Sequence, residues 1–263
     1  GLGRIARVSQ ALVPTMALLY LGGGALVLLL RWQQVPQALS LIFRCALTPQ
    51  AALGGGLGWT AAEALRHGVA RGVFTNEAGL GTSAMAHGAA EVDHPARQGM
   101  WGIFEVFFAT LLTCTLTALV ILVGGVYQPE TVLAHLRQGT LPDWALGVPL
   151  TARSFSAVLG EAGAWIVWIS LLLFAFSSIL GWSYYGQQSL RFLTGGDRLL
   201  PLYRAVFLGC VVLGACGNSA GLWQLVDLCN ALMAIPNLLA LLLLAPQALR
   251  LLQQWVQQQN APV

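Results

Sequence analysis

The chain has 263 residues, of which 57% are hydrophobic and 9% are charged, and its formal net charge is +3. A typical soluble domain carries about 25% charged residues, so this composition excludes a water-soluble globule of this size and predicts a protein surrounded by a lipid bilayer. The small net charge gives no reason to expect a nucleic-acid partner.

Several stretches of the chain are long and apolar enough to be predicted as membrane-spanning helices, each of which needs about 20 such residues. In chain order they are residues 8–30, 39–57, 100–123, 162–187, 203–215 and 222–244. The second stretch is irregular and the fifth is short. The predicted fold class is therefore an all-α integral membrane protein.

The arginines indicate how these spans are oriented, because basic residues accumulate on the cytoplasmic side of membrane proteins. With the N-terminus inside, the cytoplasmic segments hold Arg4, Arg7, Arg66, Arg71, Arg97, Arg191, Arg198, Arg204 and Arg250, and the opposite side holds Arg31, Arg137 and Arg153, with Arg44 just inside a span. The Gly-rich segment 58–98 is therefore predicted to be cytoplasmic, and the connection 124–160 is predicted to be external.

The second predicted span is interrupted where a continuous helix would be costly. After Pro49 it carries three consecutive glycines, Gly54, Gly55 and Gly56, each of which disfavours a helix by about 1 kcal/mol relative to alanine. Irregular backbone at membrane depth is tolerated only where protein or a water-filled cavity satisfies its polar groups. The glycines indicate either a functional break or close helix packing through small residues, as at residues 22–24.

The stretch 71–83 is the most unusual in the chain, because polar residues are set among glycines there. Asn76 and Glu77 are followed closely by Gly79, a pattern that suits a segment lining a gate or coordinating a cation. These three residues are therefore predicted to form a gate or a structural motif. The alternative is an ordinary cytoplasmic turn in which Glu77 pairs with Arg71.

Two adjacent hydroxyls stand in the middle of the fourth predicted span. Ser177 and Ser178 lie in the sequence FAFSSILGWSYYG, and Trp182 follows Ser178 by four residues, which places it on the same helix face. Hard cations prefer oxygen ligands, so adjacent hydroxyls at membrane depth suit a sodium site. The alternative is that they bond back to the carbonyls of their own helix.

Carboxylates inside predicted spans are candidates for function, because a charge at membrane depth is costly. Asp227 and Asn230 share one face of the sixth span, and Glu105 lies in the third. A position near the water interface would remove that cost for Asp227. A separate alternative is an intramembrane hydrolytic dyad of Ser83 and His87, although this pair has no third group to orient the histidine.

Several blocks of sequence closely resemble the alanine or glycine:cation symporter family, also called the sodium:alanine symporter or amino-acid carrier family. The most distinctive block is RGVFTNEAGLGT at residues 71–82. The others are VPTMALLY at 13–20, HPARQG at 94–99, TCTLTA at 113–118, FSSILGWSYYG at 176–186 and DLCNALMAIPN at 227–237. They follow the expected order over nearly the whole chain, and such a series is far more specific than any one block.

The resemblance implies sodium-coupled symport of a small neutral amino acid, alanine or glycine, across a bacterial inner membrane, with no cofactor and no enzymatic activity. It also implies a leucine-transporter-like fold of two inverted five-helix repeats, with the site near the middle of the membrane. The first span would be the last helix of repeat one, and the other spans would form all of repeat two. The chain is therefore expected to belong to a longer protein and not to transport alone.

The resemblance also assigns roles to individual residues. Ser177 and Ser178 match the position at which this fold places hydroxyl ligands for sodium, while Ser178 and Trp182 match the family's substrate pocket. The glycines 54–56 fall on or near a helix that the fold breaks, and are assigned to the substrate site. Thr75 and Ser178 stand where the family is expected to have Ser and Thr, and both keep a hydroxyl. Two other functions stay open: a truncated, non-transporting assembly module and the serine hydrolase.

Overall fold

A computed structural model of the chain describes residues 2–47, 61–77, 79–128, 140, 142–145, 147–216 and 219–259, together with Val132, His135 and Gln138. In these ranges the regular secondary structure is entirely helical. The α-helices are α1 (Leu2–Leu30), α2 (Val35–Leu47), α3 (Ala61–Asn76), α4 (Thr82–His87), α5 (Pro95–Val106), α6 (Cys114–Val123), α7 (Gly147–Leu159), α8 (Glu161–Thr194), α9 (Leu200–Cys216) and α10 (Ser219–Gln259). Short 3₁₀ turns occur at Trp32–Gln34 and Asp143–Ala145.

Four helical stretches among the described residues have the length and composition needed to cross a membrane. They are Val8–Leu30, Pro95–Val123, Glu161–Thr194 and Gly221–Gln259, while Leu200–Cys216 is apolar but shorter. The described residues are therefore those of an all-helical, multi-pass membrane protein. The division into six spans and their orientation stay predictions, and residues 48–57 of the predicted second span lie outside the described residues.

The second of these stretches is continuous through a π-helical segment. α5 begins at Pro95, where the missing N–H of proline leaves no intrahelical bond unmade, and the ring of His94 accepts a hydrogen bond from Ala96 N at 3.2 Å. Residues Phe107–Thr113 form the π-helical segment that joins α5 to α6. Such segments are frequent at functional sites. This one contains Thr110, which contacts Asn76 of the predicted gate.

The helices divide into two compact units, of which the first comprises Gly1–Leu65 and Leu112–Tyr184. Its core forms where α1, α6 and α7 meet, and Val27, Val120 and Phe155 are completely buried there. The hydroxyls of Tyr20 and Thr117 lie 2.7 Å apart beside this core. Apolar packing and one internal hydrogen bond therefore hold α1 against α6.

Glycines in α1 allow this close packing. A Cβ added at Gly23 would lie 2.9 Å from a methyl carbon of Ile166, and one added at Gly24 would overlap the side chain of Leu116, whereas Gly22 faces open space. The close packing through small residues that the sequence indicated at residues 22–24 is therefore confirmed at Gly23 and Gly24, while the same question for the glycines 54–56 lies outside the described residues. Small residues of this kind let helix backbones approach within a membrane.

The second unit comprises Arg66–Leu111 and Tyr185–Val263. In it α5 packs against both α4 and α10. The end of α8 packs against α9, where Gly186 leaves space that the hydroxyl of Tyr203 occupies. Close by, the Nε and Nη2 of Arg204 donate to the side-chain oxygen of Gln187 at 3.0 and 2.8 Å. These contacts hold the end of α8 against α9.

Candidate functional site

The serine pair on α8 lies in the first unit, and its first hydroxyl is bonded to the helix. Ser177 Oγ donates to the carbonyl oxygen of Phe174 at 2.9 Å, which is the arrangement that the helix-bonded alternative predicts. A hydroxyl that donates its proton in this way keeps the lone pairs of its oxygen. The bond therefore fixes the side chain without removing the oxygen as a ligand for a cation.

Ser178 and Trp182 lie one helical turn apart, and both are half-buried. Gly181, between them, has open space where a side chain would be. The helix thus offers a hydroxyl and an indole on one face, next to a position with no side chain. The sodium and substrate roles of these residues stay predictions, and Gly54, Gly55 and Gly56, also assigned to the substrate site, lie outside the described residues.

The turn after α3 lies in the second unit and holds the second group of predicted residues. Asn76 ends α3, and its Nδ2 donates to Thr110 Oγ1 in the π-helical segment at 3.4 Å. Glu77 Oε2 accepts a hydrogen bond from Thr82 Oγ1 at 2.8 Å, and Thr82 is only 2% exposed. Both polar residues therefore have defined contacts within the fold.

The backbone of this turn is unusual. Glu77 has a φ of 54°, which non-glycine residues rarely adopt, and Gly81 has a φ of 82°. A Cβ at Gly79 would lie 2.9 Å from a methyl carbon of Val73, and one at Gly81 would lie 3.0 Å from Asn237 Oδ1 on α10. The glycines are therefore required by sterics, since the turn folds back on α3 and contacts α10.

Arg71 holds the start of the same segment through a distant partner. The alternative reading of the turn paired Arg71 with Glu77, whereas in the structure the guanidinium of Arg71 forms an ion pair with Asp227 on α10. It also lies over the rings of Trp223, at 5.0 Å from the ring centre, and Phe74, at 5.9 Å. Asp227 lies 156 positions along the chain from Arg71, and it becomes the partner because α3 lies against α10.

The two polar residues predicted to share a face of α10 have different environments. Asp227 is neutralised by Arg71. The side-chain nitrogen of Asn230 is buried and has no hydrogen-bond partner in the part of the chain that the structure describes. A buried amide without a partner is costly, so Asn230 stays a candidate for a polar contact.

His87 links α4 to α5 and bears on the hydrolase alternative. Its Nδ1 lies 2.8 Å from Gln98 Nε2, and its Nε2 lies 3.3 Å from Glu105 Oε2. Both ring nitrogens thus have partners other than Ser83. The structure does not form the Ser83–His87 dyad, and Glu105 is part of a polar contact between two helices.

Three contact residues were missed by the sequence reasoning. Thr82 and Thr110 hold Glu77 and Asn76, and Trp223 covers Arg71. Thr82 falls within the distinctive block 71–82, so its sequence position was a usable signal. Thr110 and Trp223 are ordinary residues of apolar helices, and only the tertiary contacts identify them.

Comparison with known proteins places the chain among membrane transporters. The model of the sodium:alanine symporter family matches residues 1–262. An uncharacterised transporter of Haemophilus influenzae is 40% identical, over 92% of this chain and 50% of its own length. The sodium/alanine symporter AgcS of Methanococcus maripaludis is 37% identical, over 93% and 51%. The probable sodium/glutamine symporter GlnT of Bacillus subtilis is 34% identical, over 99% and 51%.

The chain thus spans about half the length of the curated relatives it matches. The match confirms the resemblance that the sequence blocks indicated, because it extends over nearly every residue. The family is one of transporters and not of enzymes. The chain belongs to the sodium:alanine symporter family.

Proposed function

We propose that this protein takes part in sodium-coupled symport of a small neutral amino acid across a bacterial inner membrane. The observation that carries the proposal is the family match over residues 1–262. Long apolar helices that suit a multi-pass membrane protein support it. Two relatives are named a sodium/alanine symporter and a probable sodium/glutamine symporter, so sodium is the coupling ion that their names share.

In this proposal Ser177 and Ser178 supply hydroxyl oxygens to the sodium ion. The Ser177 hydroxyl donates to Phe174, so its lone pairs are available to replace part of the ion's water shell. Loss of one hydroxyl leaves the bound ion short of one oxygen ligand, and a polar group left without its partner costs about 1–3 kcal/mol. Removal of either hydroxyl is therefore expected to weaken sodium binding by about five- to 150-fold.

Trp182 sets the size of the transported side chain in the same proposal. It lies one turn beyond Ser178 and is half-buried, so its indole forms an apolar wall beside the hydroxyl. Such a wall suits alanine or glycine, with the glycines 54–56 completing the substrate site. Trp182→Ala is then expected to admit larger neutral amino acids, such as glutamine.

The turn of Asn76, Glu77 and Gly79 acts as a gate in this proposal. A residue held at positive φ stores strain of order 1–3 kcal/mol, and such strain clusters at switch regions. Glu77→Gly relieves the strain but removes the bond from Thr82. We expect slower uptake at an unchanged sodium requirement, and an unchanged uptake rate would show that the turn is only structural.

The proposed architecture is the leucine-transporter-like fold, with the last helix of repeat one and all of repeat two in this chain. Its topology places segment 58–98 and the tail after Arg250 in the cytoplasm and segment 124–160 outside, as the arginine distribution favours. Single cysteines at Gln138 and Gln258, in a background without native cysteines, should react with an impermeant reagent from opposite sides of the membrane. Reaction of both from one side would contradict the topology.

The central experiment measures labelled alanine, glycine and glutamine uptake into membrane vesicles. Vesicles are prepared from cells that carry the natural gene and from cells in which it is deleted. A sodium gradient should drive alanine or glycine uptake only when the gene is present, and potassium should not replace sodium. Equal uptake by both kinds of vesicle would contradict the proposed function.

Variants of the natural gene then test the site, and α8 itself provides a matched control. Ser177→Ala and Ser178→Ala should raise the sodium concentration for half-maximal uptake. Ser189→Ala should not, although Ser189 Oγ also donates to a carbonyl of its own helix, that of Tyr185, at 3.0 Å. If all three variants keep the normal sodium dependence, the two serines have no sodium role and only their helix bonds remain.

A further inference from the structure

A polar contact between α4 and α5 has a histidine at its centre, and it uses none of the residues assigned to sodium or the amino acid. His87 Nδ1 lies 2.8 Å from Gln98 Nε2, and His87 Nε2 lies 3.3 Å from Glu105 Oε2. Both ring nitrogens therefore meet side chains of the same helix. Histidine is the side chain that most readily changes its charge near neutral pH, so this contact is a candidate site for a proton.

The face of α5 that meets the ring is shaped to receive it. Gln98, Gly102 and Glu105 are four and three positions apart, which places them on one face of the helix. A Cβ added at Gly102 would lie 3.6 Å from His87 Nε2 and 3.8 Å from its Cε1. The ring thus packs directly over the glycine, where a larger side chain would compete with it for space, and reaches a polar group on either side.

The three side chains can satisfy either charge state of the ring. With Gln98 Nε2 as the donor, His87 Nδ1 accepts, and the single ring proton lies on Nε2, directed at the Glu105 carboxylate. A proton from water that adds to the lone pair of Nδ1 turns that nitrogen into a donor. The Gln98 amide can then rotate so that its oxygen accepts the new N–H. The ring thus gains a proton without losing a hydrogen bond.

Glu105 supplies a reason for the ring to take up a proton. It lies in the apolar stretch Pro95–Val123, which is long enough to cross a membrane, and an unpaired carboxylate there is costly. An imidazolium at this distance neutralises the carboxylate, and the carboxylate in turn favours the protonated ring. Uptake of one proton therefore changes the pair from net negative to neutral.

The other charged and titratable side chains on the surrounding elements leave Glu105 as the carboxylate that contacts the ring, among the residues that the structure describes. α10 and α4 pack against α5, and Met85 of α4 lies beside the end of α8. On these helices the other such groups are Arg97, paired with Asp93, Asp227, paired with Arg71, Arg191, paired with Asp197, Tyr185, which interacts with Glu77 and Glu105, and Cys229 and Arg250 of α10.

The contact is connected to the turn after α3 through α4. This helix has only six residues. Thr82 at its start donates a hydrogen bond to Glu77 of the turn, and His87 is at its end. The His87 side chain is 27% exposed, and in the proposed topology it belongs to the cytoplasmic segment 58–98. A cytoplasmic proton can therefore act at one end of α4 while the other end holds the turn.

We propose that His87, Gln98 and Glu105 form a proton-binding site through which cytoplasmic pH regulates the turn after α3. Protonation converts the hydrogen bond between His87 and Glu105 into an ion pair, which is the stronger interaction. It holds α4 more tightly against α5 and thereby slows the turn. The proton is taken up and released on the same side of the membrane. The regulatory step rests on the proposed gate, whereas the proton site does not.

Nuclear magnetic resonance of the histidine ring nitrogens tests the proton site directly. The protein encoded by the natural gene is labelled with ¹⁵N-histidine and placed in nanodiscs, and His87→Gln identifies the signals of His87. Glu105→Gln should make the ring take up its proton at a lower pH, because a carboxylate is lost, and Gln98→Glu should have the opposite effect. Glu161→Gln removes a carboxylate at the start of α8 and should change nothing. A titration that neither substitution moves, or that Glu161→Gln moves equally, would overturn the proton site.

Uptake into vesicles of different internal pH tests the regulation. The cytoplasmic side faces the vesicle interior, and the sodium gradient is kept constant. The uptake rate should fall as the internal pH is lowered, and His87→Gln should remove this dependence without abolishing uptake. The matched control is His135→Gln, which replaces a histidine that contacts Thr140 Oγ1 at 3.3 Å in segment 124–160 and should keep the dependence.

The two measurements fail separately. A pH dependence that survives in His87→Gln, or that disappears equally in His135→Gln, would overturn the regulatory role. A complete absence of sodium-driven uptake would contradict the proposed transport function, and the ring titration would still decide whether the proton site exists.

Discussion

Replacement of Arg71 tests how α3 is held against α10. Its guanidinium forms an ion pair with Asp227 and lies over Trp223 and Phe74. Arg71→Ala removes the ion pair and both ring contacts, whereas Asp227→Asn removes the ion pair alone. The two substitutions therefore separate the contribution of the charge pair from that of the rings.

The expected magnitudes differ because the pair is partly exposed. The Arg71 and Asp227 side chains are 39% and 45% exposed, and an ion pair in such surroundings contributes about 0.2–1 kcal/mol after solvent screening. Each guanidinium–ring contact adds about 0.5–1 kcal/mol at an exposed site. Asp227→Asn should thus lower the free energy of unfolding by less than about 1 kcal/mol, and Arg71→Ala should lower it by about 1–3 kcal/mol.

The assay is reversible denaturant unfolding in mixed micelles, with Arg71→Ala, Asp227→Asn and the double variant. The control is Arg97→Gln, which removes an exposed ion pair with Asp93 one turn away on the surface and should change the free energy of unfolding by no more than about 0.5 kcal/mol. If Asp227→Asn is as costly as Arg71→Ala, the rings contribute nothing and the reasoning is refuted.

Substitutions at four other positions have effects that follow directly from the structure, and unfolding in mixed micelles measures each. Gly163→Ala places a Cβ 2.5 Å from backbone atoms of the preceding helix and should cost about 1–3 kcal/mol, whereas Gly181→Ala on the same helix faces open space and should be neutral or stabilising. Thr82→Val removes the hydrogen bond to the Glu77 carboxylate and should lower the free energy of unfolding by about 1.5–3 kcal/mol. Thr82→Ser keeps the hydroxyl and should lower it much less. Ser170→Ala should not destabilise, because the buried Ser170 hydroxyl has no partner among the described residues; a clear loss of stability would reveal one.

The long apolar helices were predictable from the sequence because length and apolar content mark the segments that suit a bilayer, whereas α3 and α4, in the polar segment 58–98, were not predicted. Their ends were less predictable. The sixth predicted span stops at residue 244, before Pro246, but α10 continues through this proline to Gln259. Glutamine and leucine favour a helix, and the helix retains most of its hydrogen bonds around one proline. Composition thus located the helix, while the position of its end depended on the helix propensities of the last residues and on the hydrogen bonds lost at one proline.

The contacts of the candidate site were less predictable from the sequence than the helices. The adjacent hydroxyls Ser177 and Ser178 and the unusual turn at Glu77 stand out in the sequence, because their residue types are rare in an apolar helix. The partner of Arg71 does not, because local spacing favours the nearby Glu77 over Asp227, 156 positions away. Such a choice depends on which helices dock, and no local pattern in the chain encodes that.

The length of α10 gives it a mechanical property. At 41 residues it is about 61 Å long, roughly twice the thickness of the hydrocarbon layer. Pro236 lies inside it, and a proline inside a helix is a usual point of bending. The arm from Pro236 to Gln259 measures about 35 Å, so a bend of about 10° would move its tip by about 6 Å. A small angular change at Pro236 would thus move the end of the helix by more than the pitch of one helical turn.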